Sequence, residues 1–367
     1  MPQTIDHISH MRHALRLAAR GLGNTWPNPA VGAIVVKDGI ILGQGRTARG
    51  GRPHAETAAL AQAANTARGA NLYVTLEPCA HQGKTPPCTQ AIIAAGIKHV
   101  IAACTDPNPL VAGKGFAQLR AAGIEVTENI CREEAEKLNE GFFSVITRKR
   151  PFVTLKIATS LDGKIAFADG SSKWITGAPA RQTGHLLRAT HDAILTGIGT
   201  VIADNPQLNC RLPGRENDSP QRAVVDSQIR MPPNANILPA WIFTTEVAAT
   251  RESTKANELI AKGSRIFPVN SEKDNSYLSV KEILAQLACD GITRLMIEGG
   301  SSLTSAFIEQ NLADRIYWFR APIVIGEQGL SALKGASASA PSDQHYCLTE
   351  TRSIGNDVLE IYELTRY

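Results

Sequence analysis

The feature that most constrains the fold of this chain is a repeated alternation of short apolar segments with alanine-rich helical segments. Between residues 31 and 126 the apolar segments have the length of buried strands, and glycines such as Gly69 and Gly96 stand where helices would end. The dipeptide Asp38-Gly39 predicts a hairpin turn between the first two strands. Strands separated by crossover helices predict an α/β domain whose parallel or mixed sheet is covered on both faces.

A second alternating region follows a charged helix predicted over residues 133–148 and a basic cluster at 148–150. Because Pro151 ends that cluster, we expect residues 1–148 and 149–367 to form separate domains. A length of 367 residues suits two domains. In the second region strands are predicted at 152–158, 193–196, 223–226, 241–243 and 295–297, and helices over 178–190, 280–289 and 301–311. No internal repeat relates the halves, so we predict two different α/β units.

The composition excludes several classes of protein. Hydrophobic residues make up 43% and charged residues 20%, as in ordinary globular chains, and no apolar run approaches the ~20 residues of a membrane span. A net charge of +4 with one dense basic cluster suits a phosphorylated small molecule and does not require nucleic acid. Residues 1–20 predict an amphipathic helix and not a secretory signal, and the seven cysteines form no disulfide framework. We therefore expect a cytoplasmic protein without membrane or nucleic-acid partners.

The residues that carry most chemical information are His54, Cys79 and Cys88, with Glu56 two positions after the histidine. One imidazole and two thiolates bind zinc and leave one coordination position open, which is typical of catalytic zinc. Glu56 stands at the start of a predicted helix, where its carboxylate can transfer protons to and from the water on the metal. His-x-Glu followed by Pro-Cys is the signature of the zinc nucleobase deaminases.

Other interpretations of these residues remain open. Eight residues separate Cys79 from Cys88, whereas most zinc nucleobase deaminases have two. His81 is a rival ligand, although a substrate contact suits it better, and the cysteines could be buried apolar side chains. Asn28 stands between two prolines, which would hold its amide rigidly for a ligand or simply form a turn.

Two glycine-rich segments of the second half are less specific. Gly197 and Gly199 follow a predicted strand, but Ile202 stands where a dinucleotide fingerprint has its third glycine. Residues 298–302 combine a carboxylate, two glycines and a helix start, which suits a cofactor pyrophosphate or an ordinary capped turn.

The chain resembles the bifunctional deaminase-reductase family of riboflavin biosynthesis over essentially its whole length. The resemblance rests on residues 27–32, on 77–81 and 84–88 with their wide cysteine spacing, and on 154–164. It implies a cytidine-deaminase-like three-layer α/β/α domain followed by a dihydrofolate-reductase-like α/β domain. It also implies zinc-dependent deamination of 2,5-diamino-6-ribosylamino-4(3H)-pyrimidinone 5′-phosphate, NADPH-dependent reduction of the ribosyl group to ribityl, and a homodimer or higher homo-oligomer. Family members usually carry a histidine near the position of Thr47.

The same resemblance implies the site residues. Glu56 is the expected catalytic residue, and His54, Cys79 and Cys88 are the expected zinc ligands. NADPH contacts are implied at Ala158, Trp174, Thr200, Asp204, Gly300, Ser301, Ser302, Leu303, Thr304, Ser305 and Ala306. Candidate substrate contacts are Asn28, His81, Lys84, Lys156, Ser172, Arg188, Leu208, Arg211 and Glu298.

The roles of some reductase residues follow from their chemistry. Arg188 and Arg211 suit the substrate phosphate, because guanidinium binds phosphate bidentately. Lys156 and Asp162 are candidate polar supports. The sequence does not distinguish NADPH from NADH, since it assigns no arginine to the 2′-phosphate.

Two other functions are weighed against this one. A polynucleotide (tRNA) base deaminase with a C-terminal binding domain is disfavoured by the few basic clusters, by 5% aromatic residues and by the wide cysteine spacing. A non-catalytic module with purely structural zinc is disfavoured by Glu56.

Overall fold

The computed structural model describes residues 6–83, 85–171, 174–271, 277–334 and 345–365. The chain divides into two compact units, residues 1–150 and 151–367. Among the described helices, none has the length and apolar character that crossing a bilayer would require. All seven cysteines are free thiols.

The first unit is a five-stranded sheet with helices on both faces. Its helices are α1 (His7–Ala19), α2 (Ala55–Ala63), α3 (Cys88–Ala94), α4 (Lys114–Ala121), α5 (Arg132–Leu138) and α6 (Glu140–Arg148). Its strands are β1 (Gly32–Lys37), β2 (Ile40–Arg46), β3 (Asn71–Val74), β4 (His99–Ala102) and β5 (Glu125–Thr127). The order is β2-β1-β3-β4-β5, with β3, β4 and β5 parallel and β1 antiparallel to both neighbours. The predicted mixed sheet and hairpin are confirmed.

Glycines in the first hairpin let α1 and α2 pack directly on opposite faces of the sheet. A Cβ atom at Gly45 would lie 2.3 Å from the carbonyl oxygen of Ala55 in α2. A Cβ atom at Gly32 would lie 1.9 Å from the carbonyl oxygen of Ala14 in α1. Because Gly45 pairs with the neighbour of Gly32 in β1, the two glycines point to opposite faces. This close packing gives the three-layer α/β/α arrangement and brings the first turn of α2 next to the sheet.

The prediction of one continuous helix over residues 133–148 is wrong. The structure has two helices, α5 and α6, separated at Asn139. The buried Asn139 side chain donates to the carbonyl oxygen of Ala30 at 3.0 Å and accepts from its amide at 2.9 Å. This tertiary pairing holds the loop before β1, and the helix is interrupted where it forms.

The second unit is built on a nine-stranded sheet. The strands of this unit, nine in the large sheet and two in a separate pair, are β6 (Phe152–Thr159), β7 (Lys164–Ala166), β8 (Ala193–Gly197), β9 (Gln221–Val225), β10 (Trp241–Thr244), β11 (Arg265–Pro268), β12 (Arg294–Ile297), β13 (Arg315–Arg320), β14 (Leu330–Ser331), β15 (His345–Ile354) and β16 (Asp357–Thr365). Its helices are α7 (Ala178–Ala189), α8 (Ile198–Asp204), α9 (Glu246–Arg251), α10 (Ser253–Ala261), α11 (Val280–Cys289) and α12 (Ser301–Glu309).

The order of the large sheet is β11-β10-β9-β8-β12-β6-β13-β16-β15, and β7 pairs separately with β14. The strands from β11 to β13 in this order are parallel, and β16 and β15 are antiparallel to their neighbours. Parallel strands present their carboxyl ends at one edge, which is where ligands bind in α/β sheets. The strands ending at that edge include β6, β8, β9 and β12.

Candidate functional site

Three metal-binding side chains converge in the first unit. His54 immediately precedes α2, Cys88 is the first residue of α3, and Cys79 lies between β3 and α3. The Nδ1 atom of His54 is 3.2 Å from Sγ of Cys88 and 3.7 Å from Sγ of Cys79. All three donor atoms lie within 4.8 Å of one another. One nitrogen and two sulfurs at this spacing fit a tetrahedral zinc ion with a fourth position for another ligand.

The crowding of the two thiol groups moves their pKa values apart. A hydrogen bond from the Cys88 thiol lowers the pKa of Cys79 to about 4 against the opposing effect of burial, and the His54 ring lowers it further. The same bond to Cys79 is the main cause that raises the pKa of Cys88, and burial adds to the increase. The hydrogen bond to Cys79 also raises the pKa of His54. The protein thus favours a thiolate at Cys79, the form that binds metal.

Glu56 lies in the first turn of α2 beside these ligands. Its side chain is buried, with 4% exposed, and burial raises the pKa of its carboxyl group. Glu56 and Cys88 are close enough that each affects the other's pKa: the carboxylate raises the pKa of the Cys88 thiol, and the thiol lowers that of the carboxyl group. Among the described residues, the group of metal donors contains His54, Cys79 and Cys88 but not Glu56. A carboxyl group beside the ligands, and not among them, is placed to carry protons.

The other candidates near this centre have different environments. Asn28 donates through Nδ2 to the carbonyl oxygen of Gly51 at 2.9 Å, so its amide group supports the loop before α2. His81 is exposed and is not part of the donor group found among the described residues. Lys84 lies outside the described residues. Thr47 is buried, and its hydroxyl accepts the amide hydrogen of Val31 at 3.0 Å, so it supports the start of β1.

The second unit contains a cavity of about 930 Å³ at the carboxyl edge of the sheet. Of the predicted reductase residues, those that line it are Lys156, Ala158, Trp174, Arg188, Thr200, Asp204, Leu208, Arg211, Glu298, Gly300, Ser301, Ser302, Leu303, Thr304 and Ala306. Ser305 is buried, does not line the cavity, and accepts the amide hydrogen of Lys334 at 2.8 Å. Ser172 lies outside the described residues.

A cluster of three charged side chains lies in this cavity. Glu298 accepts from Nζ of Lys156 at 3.2 Å and from Nε and Nη2 of Arg188 at 2.9–3.1 Å. Burial raises the pKa of Glu298, but Lys156 and Arg188 outweigh that effect and hold it at about 2. The carboxylate is therefore ionised at neutral pH, and the cluster carries a net positive charge that favours an anionic ligand.

The two predicted phosphate-binding arginines differ in their partners. Arg188 makes three hydrogen bonds to Glu298 and donates through Nη1 to the carbonyl oxygen of Asn209 at 3.1 Å. Arg211 is exposed and donates to the side chain of Asn209 at 3.0 Å. Since Arg188 is already held by a carboxylate, Arg211 is the more available partner for a phosphate.

Two further candidates make contacts with other residues of the protein. Asp162 does not line the cavity; its carboxylate accepts the amide hydrogens of Ile325 and Gly326 at 3.1 and 2.7 Å and so fixes a turn. Trp174 is 67% exposed, and the guanidinium of Arg181 lies 4.5 Å from its ring centre. The turn at Gly197–Gly199 lines the cavity, although it lacks a complete dinucleotide fingerprint.

Comparison with known proteins assigns both units. Residues 4–104 match the cytidine and deoxycytidylate deaminase zinc-binding region, and residues 151–359 match the RibD C-terminal domain. The riboflavin biosynthesis protein RibD of Aquifex aeolicus is 46% identical over 88% of both chains, and that of Bacillus amyloliquefaciens is 43% identical over 95% of this chain and 94% of its own. The chain belongs to the RibD family.

Solved structures of RibD proteins agree over the same length. Acinetobacter baumannii RibD has a TM-score of 0.88 at 38% identity, covering 98% of this chain and 99% of its own. A Thermotoga maritima structure described as a diaminohydroxyphosphoribosylaminopyrimidine deaminase/5-amino-6-(5-phosphoribosylamino)uracil reductase has a TM-score of 0.83 at 37% identity, covering 97% and 98%.

Membership of the RibD family confirms the expected bifunctional enzyme, with a zinc-binding deaminase domain followed by a reductase domain. It favours the riboflavin interpretation over a polynucleotide deaminase. The zinc and NADPH cofactors expected from the sequence agree with this assignment.

Three residues that the sequence analysis did not single out support the RibD sites. Buried Glu77 accepts the amide hydrogens of Asp106, Gly113 and Gly115 at 2.8–3.2 Å and fastens that loop beside Cys79. Arg52 lies 3.2 Å from Nε2 of His54. His185 lies between Arg188 and Arg211, with Nδ1 3.5 Å from Nη1 of Arg188 and 3.3 Å from the amide of Arg211. Their signals were weak: Glu77 adjoins Pro78-Cys79, and His185 is one helical turn before Arg188.

Proposed function

We propose that the first unit deaminates 2,5-diamino-6-ribosylamino-4(3H)-pyrimidinone 5′-phosphate and that the second unit reduces the ribosyl group of the product to ribityl with NADPH. The convergence of His54, Cys79 and Cys88 beside Glu56 is the observation that carries the first activity. The name of the Thermotoga maritima relative supports the same pair of reactions.

In the deaminase unit His54, Cys79 and Cys88 would hold the zinc ion. A zinc ion held there would act as a Lewis acid and lower the pKa of a bound water towards neutral pH. The Glu56 carboxylate takes a proton from the attacking water and delivers one to the amino nitrogen that leaves as ammonia. Its burial beside the ligands excludes bulk water from this transfer. Glu77, through its three backbone contacts, keeps the neighbouring loop in position.

In the reductase unit the residues orient two ligands. NADPH supplies the hydride. Arg211, exposed at the cavity, binds the 5′-phosphate of the substrate. Lys156 is held 3.2 Å from Glu298, where its ammonium group can donate a hydrogen bond to a ribosyl oxygen. Glu298 fixes Lys156 and Arg188 together, so that the substrate meets a preorganised positive site.

The residues implied by the family resemblance include contacts to the cofactor and contacts to the substrate. We retain Asn28, His81 and Lys84 as substrate contacts of the deaminase and the cavity-lining set as contacts of the reductase. We further propose that the chain acts as a homodimer or higher homo-oligomer. We also propose that it acts in the cytoplasm, and its seven free cysteines support that location.

One coupled experiment tests both activities. Elemental analysis of the purified full chain would measure zinc, and an assay on the pyrimidine substrate would follow ammonia and NADPH separately. We expect one zinc ion per chain and ammonia release before NADPH oxidation. A metal-free protein that releases ammonia, or a protein that oxidises NADPH without prior deamination, would contradict the proposed sequence of reactions.

A further inference from the structure

Helix α7 contributes a whole face to the cavity of the second unit. The residues of this helix that line the cavity recur at intervals of three and four positions, so they share one side of it: Ala180, Arg181, Gly184, His185 and Arg188. The segment before the helix, residues 174–176, lines the cavity as well. The placement of α7 therefore fixes the placement of many groups that meet a ligand.

The end of α7 is tied to the sheet by an ion pair. Arg188 lies in the last turn of the helix and makes three hydrogen bonds to Glu298, which follows β12. This pair holds the end of the helix at the carboxyl edge of the sheet. The start of the helix has a different carboxylate partner.

Asp357, the first residue of β16, holds the start of α7. Its Oδ2 atom accepts the amide hydrogen of Gly177, the residue before the helix, at 2.7 Å. The side chain is buried, with 3% exposed, and it does not line the cavity. The first amides of a helix have no partner within the helix, and the helix dipole favours a negative charge beside them. Because Gly177 has no side chain to cap the helix, this carboxylate from 180 positions further along the chain provides the cap.

The hairpin of β15 and β16 also packs on this end of the helix. Its turn contains Gly355 with a φ of +63°, and a Cβ atom there would lie 3.2 Å from Cγ of Pro179. In the same part of α7, Arg181 donates through Nη1 to the carbonyl oxygen of Thr176 at 2.7 Å, and its guanidinium lies 4.5 Å from the ring centre of Trp174. Contacts therefore continue from the hairpin to the tryptophan that lines the cavity.

We propose that Asp357 is a positioning residue of the reductase, through which the hairpin of β15 and β16 holds residues 174–177 and the start of α7 in the arrangement that binds NADPH. This proposal rests on the proposed reductase function, in which Trp174 is a cofactor contact. Without the carboxylate, the Gly177 amide loses a charge-assisted hydrogen bond. Helix ends open at little cost in free energy, so this loss gives the open arrangement a large share of the population. The apparent affinity for NADPH then falls in proportion to the binding-competent fraction that is lost.

Asp357→Ala in the full chain tests this role. Hydrogen exchange followed by mass spectrometry would report on the peptide spanning residues 174–181, and equilibrium titration would give the dissociation constant of NADPH. We expect exchange in that peptide to be about 10- to 100-fold faster, from the loss of a hydrogen bond to a charged group. The NADPH dissociation constant should rise about 3- to 10-fold. The KM of the pyrimidine substrate should rise by less than about twofold, because Arg188 stays bound to Glu298.

Asp357→Asn is the conservative variant. It keeps an oxygen that can accept the Gly177 amide hydrogen but removes the charge, and a neutral acceptor makes a weaker hydrogen bond. Exchange in residues 174–181 should be about 3- to 10-fold faster than in wild type, and the NADPH dissociation constant should return to within about twofold of its wild-type value. Should Asp357→Ala not fold, wild-type exchange in Asp357→Asn overturns the proposal.

A matched control is Asp192→Ala, which removes another buried carboxylate of the second unit. Asp192 is 2% exposed and accepts the amide hydrogens of Thr293 and Arg294 at 2.8 and 2.9 Å, but it precedes β8 and does not line the cavity. Exchange in residues 174–181 and NADPH affinity should stay at their wild-type values in this variant. Equal weakening of NADPH binding in the two variants would indicate a general loss of stability and overturns the proposal.

A folded Asp357→Ala variant with wild-type exchange in residues 174–181, or with a wild-type NADPH dissociation constant, also overturns it. A wild-type chain that neither binds nor oxidises NADPH contradicts the reductase function itself. The exchange comparison needs no activity, so it still decides whether Asp357 holds this segment.

Discussion

The two RibD sites in this chain are built in different ways. In the first unit, three donor atoms lie within 4.8 Å of one another, and Glu56 adjoins them. In the second unit, the candidate residues line a cavity of about 930 Å³ and come from strands, helices and loops far apart in the sequence. One site concentrates its candidate chemistry in four side chains, and the other distributes its candidate contacts around a large cavity.

The difference reflects where the reactive groups come from. A deaminase must hold a metal and move a proton with its own side chains, which restricts the residue types to imidazole, thiolate and carboxylate. A reductase receives its hydride from the cofactor, so the protein mainly binds and orients. Many residue types can do that, and substitutions in the two units should therefore have unequal and separable effects.

The largest separable effect is expected from Cys88→Ala. Removal of one thiolate should abolish stoichiometric zinc binding and lower ammonia release by more than about 100-fold, because loss of groups that only support a metal ligand already costs 10- to 100-fold. NADPH oxidation on pre-deaminated substrate should stay within about twofold of wild type, since no reductase group is changed. Elemental analysis and the two separate assays measure these quantities.

Cys131→Ala is the matched control for that substitution. Cys131 is a free thiol of the same unit at the start of α5, outside the donor group. Its replacement should leave zinc content and ammonia release unchanged. If Cys88→Ala kept its zinc, the ligand assignment would be wrong.

A smaller effect in the opposite unit is expected from Glu298→Gln. Removing this carboxylate leaves Lys156 and Arg188 as neighbouring cations. We expect reductase kcat/KM to fall about 10- to 100-fold through loss of this preorganised arrangement. The free energy of unfolding should fall by about 1–2 kcal/mol, less than for a fully buried pair, since these side chains are 12–20% exposed. Ammonia release should be unchanged.

Glu360→Gln provides the control for Glu298→Gln. Glu360 pairs with Arg320 at 2.9 Å in the same unit and is similarly exposed, but it does not line the cavity. Reductase activity should be retained there. Equal losses of activity in the two variants would indicate a general effect on the fold and not a role of the cavity cluster.

Much of the layout could be predicted from the sequence, because buried elements carry strong patterns. The helix over residues 280–289 agrees with α11, and the strand at 152–158 agrees with β6. The antiparallel strands β15 and β16 were not predicted. β15 is rich in polar residues and forms the sheet edge, so its sequence lacks the apolar signal of a buried strand.

The site was predictable where residue type alone restricts the chemistry. His54, Cys79 and Cys88 are identifiable from their ligand atoms and motif, and the structure brings those atoms together. The Arg188–Glu298 pair joins residues 110 positions apart, and the hydrogen bonds of Asn139 join residues 109 apart. Such tertiary partners leave no local pattern in the chain.

The smallest expected effect is a loss of folding stability at acid pH, which arises from one histidine of the second unit. His191 in the second unit is buried and lies 2.9 Å from the hydroxyl of Thr154; burial holds its pKa at about 3. The folded chain keeps this ring neutral, while the unfolded chain protonates it below about pH 6.5. Stability should therefore fall by about 1.4 kcal/mol per pH unit from about pH 6.5 towards 3 through this residue alone.

His191→Asn tests that contribution, because the asparagine amide can still donate to the Leu187 carbonyl that His191 contacts at 2.6 Å. Denaturant unfolding at pH 7 and pH 5 should show a stability difference about 2 kcal/mol smaller than in wild type, even if the variant is less stable at both values. An unchanged pH dependence would exclude a buried neutral His191.

The most direct test of two independent active sites is Glu56→Gln, followed by zinc content, ammonia release and NADPH oxidation on the same preparation. We predict one zinc ion per chain, ammonia release lowered by about 100-fold or more through loss of the proton carrier, and undiminished NADPH oxidation on pre-deaminated substrate. Loss of both activities in a folded, zinc-containing variant would contradict separate sites.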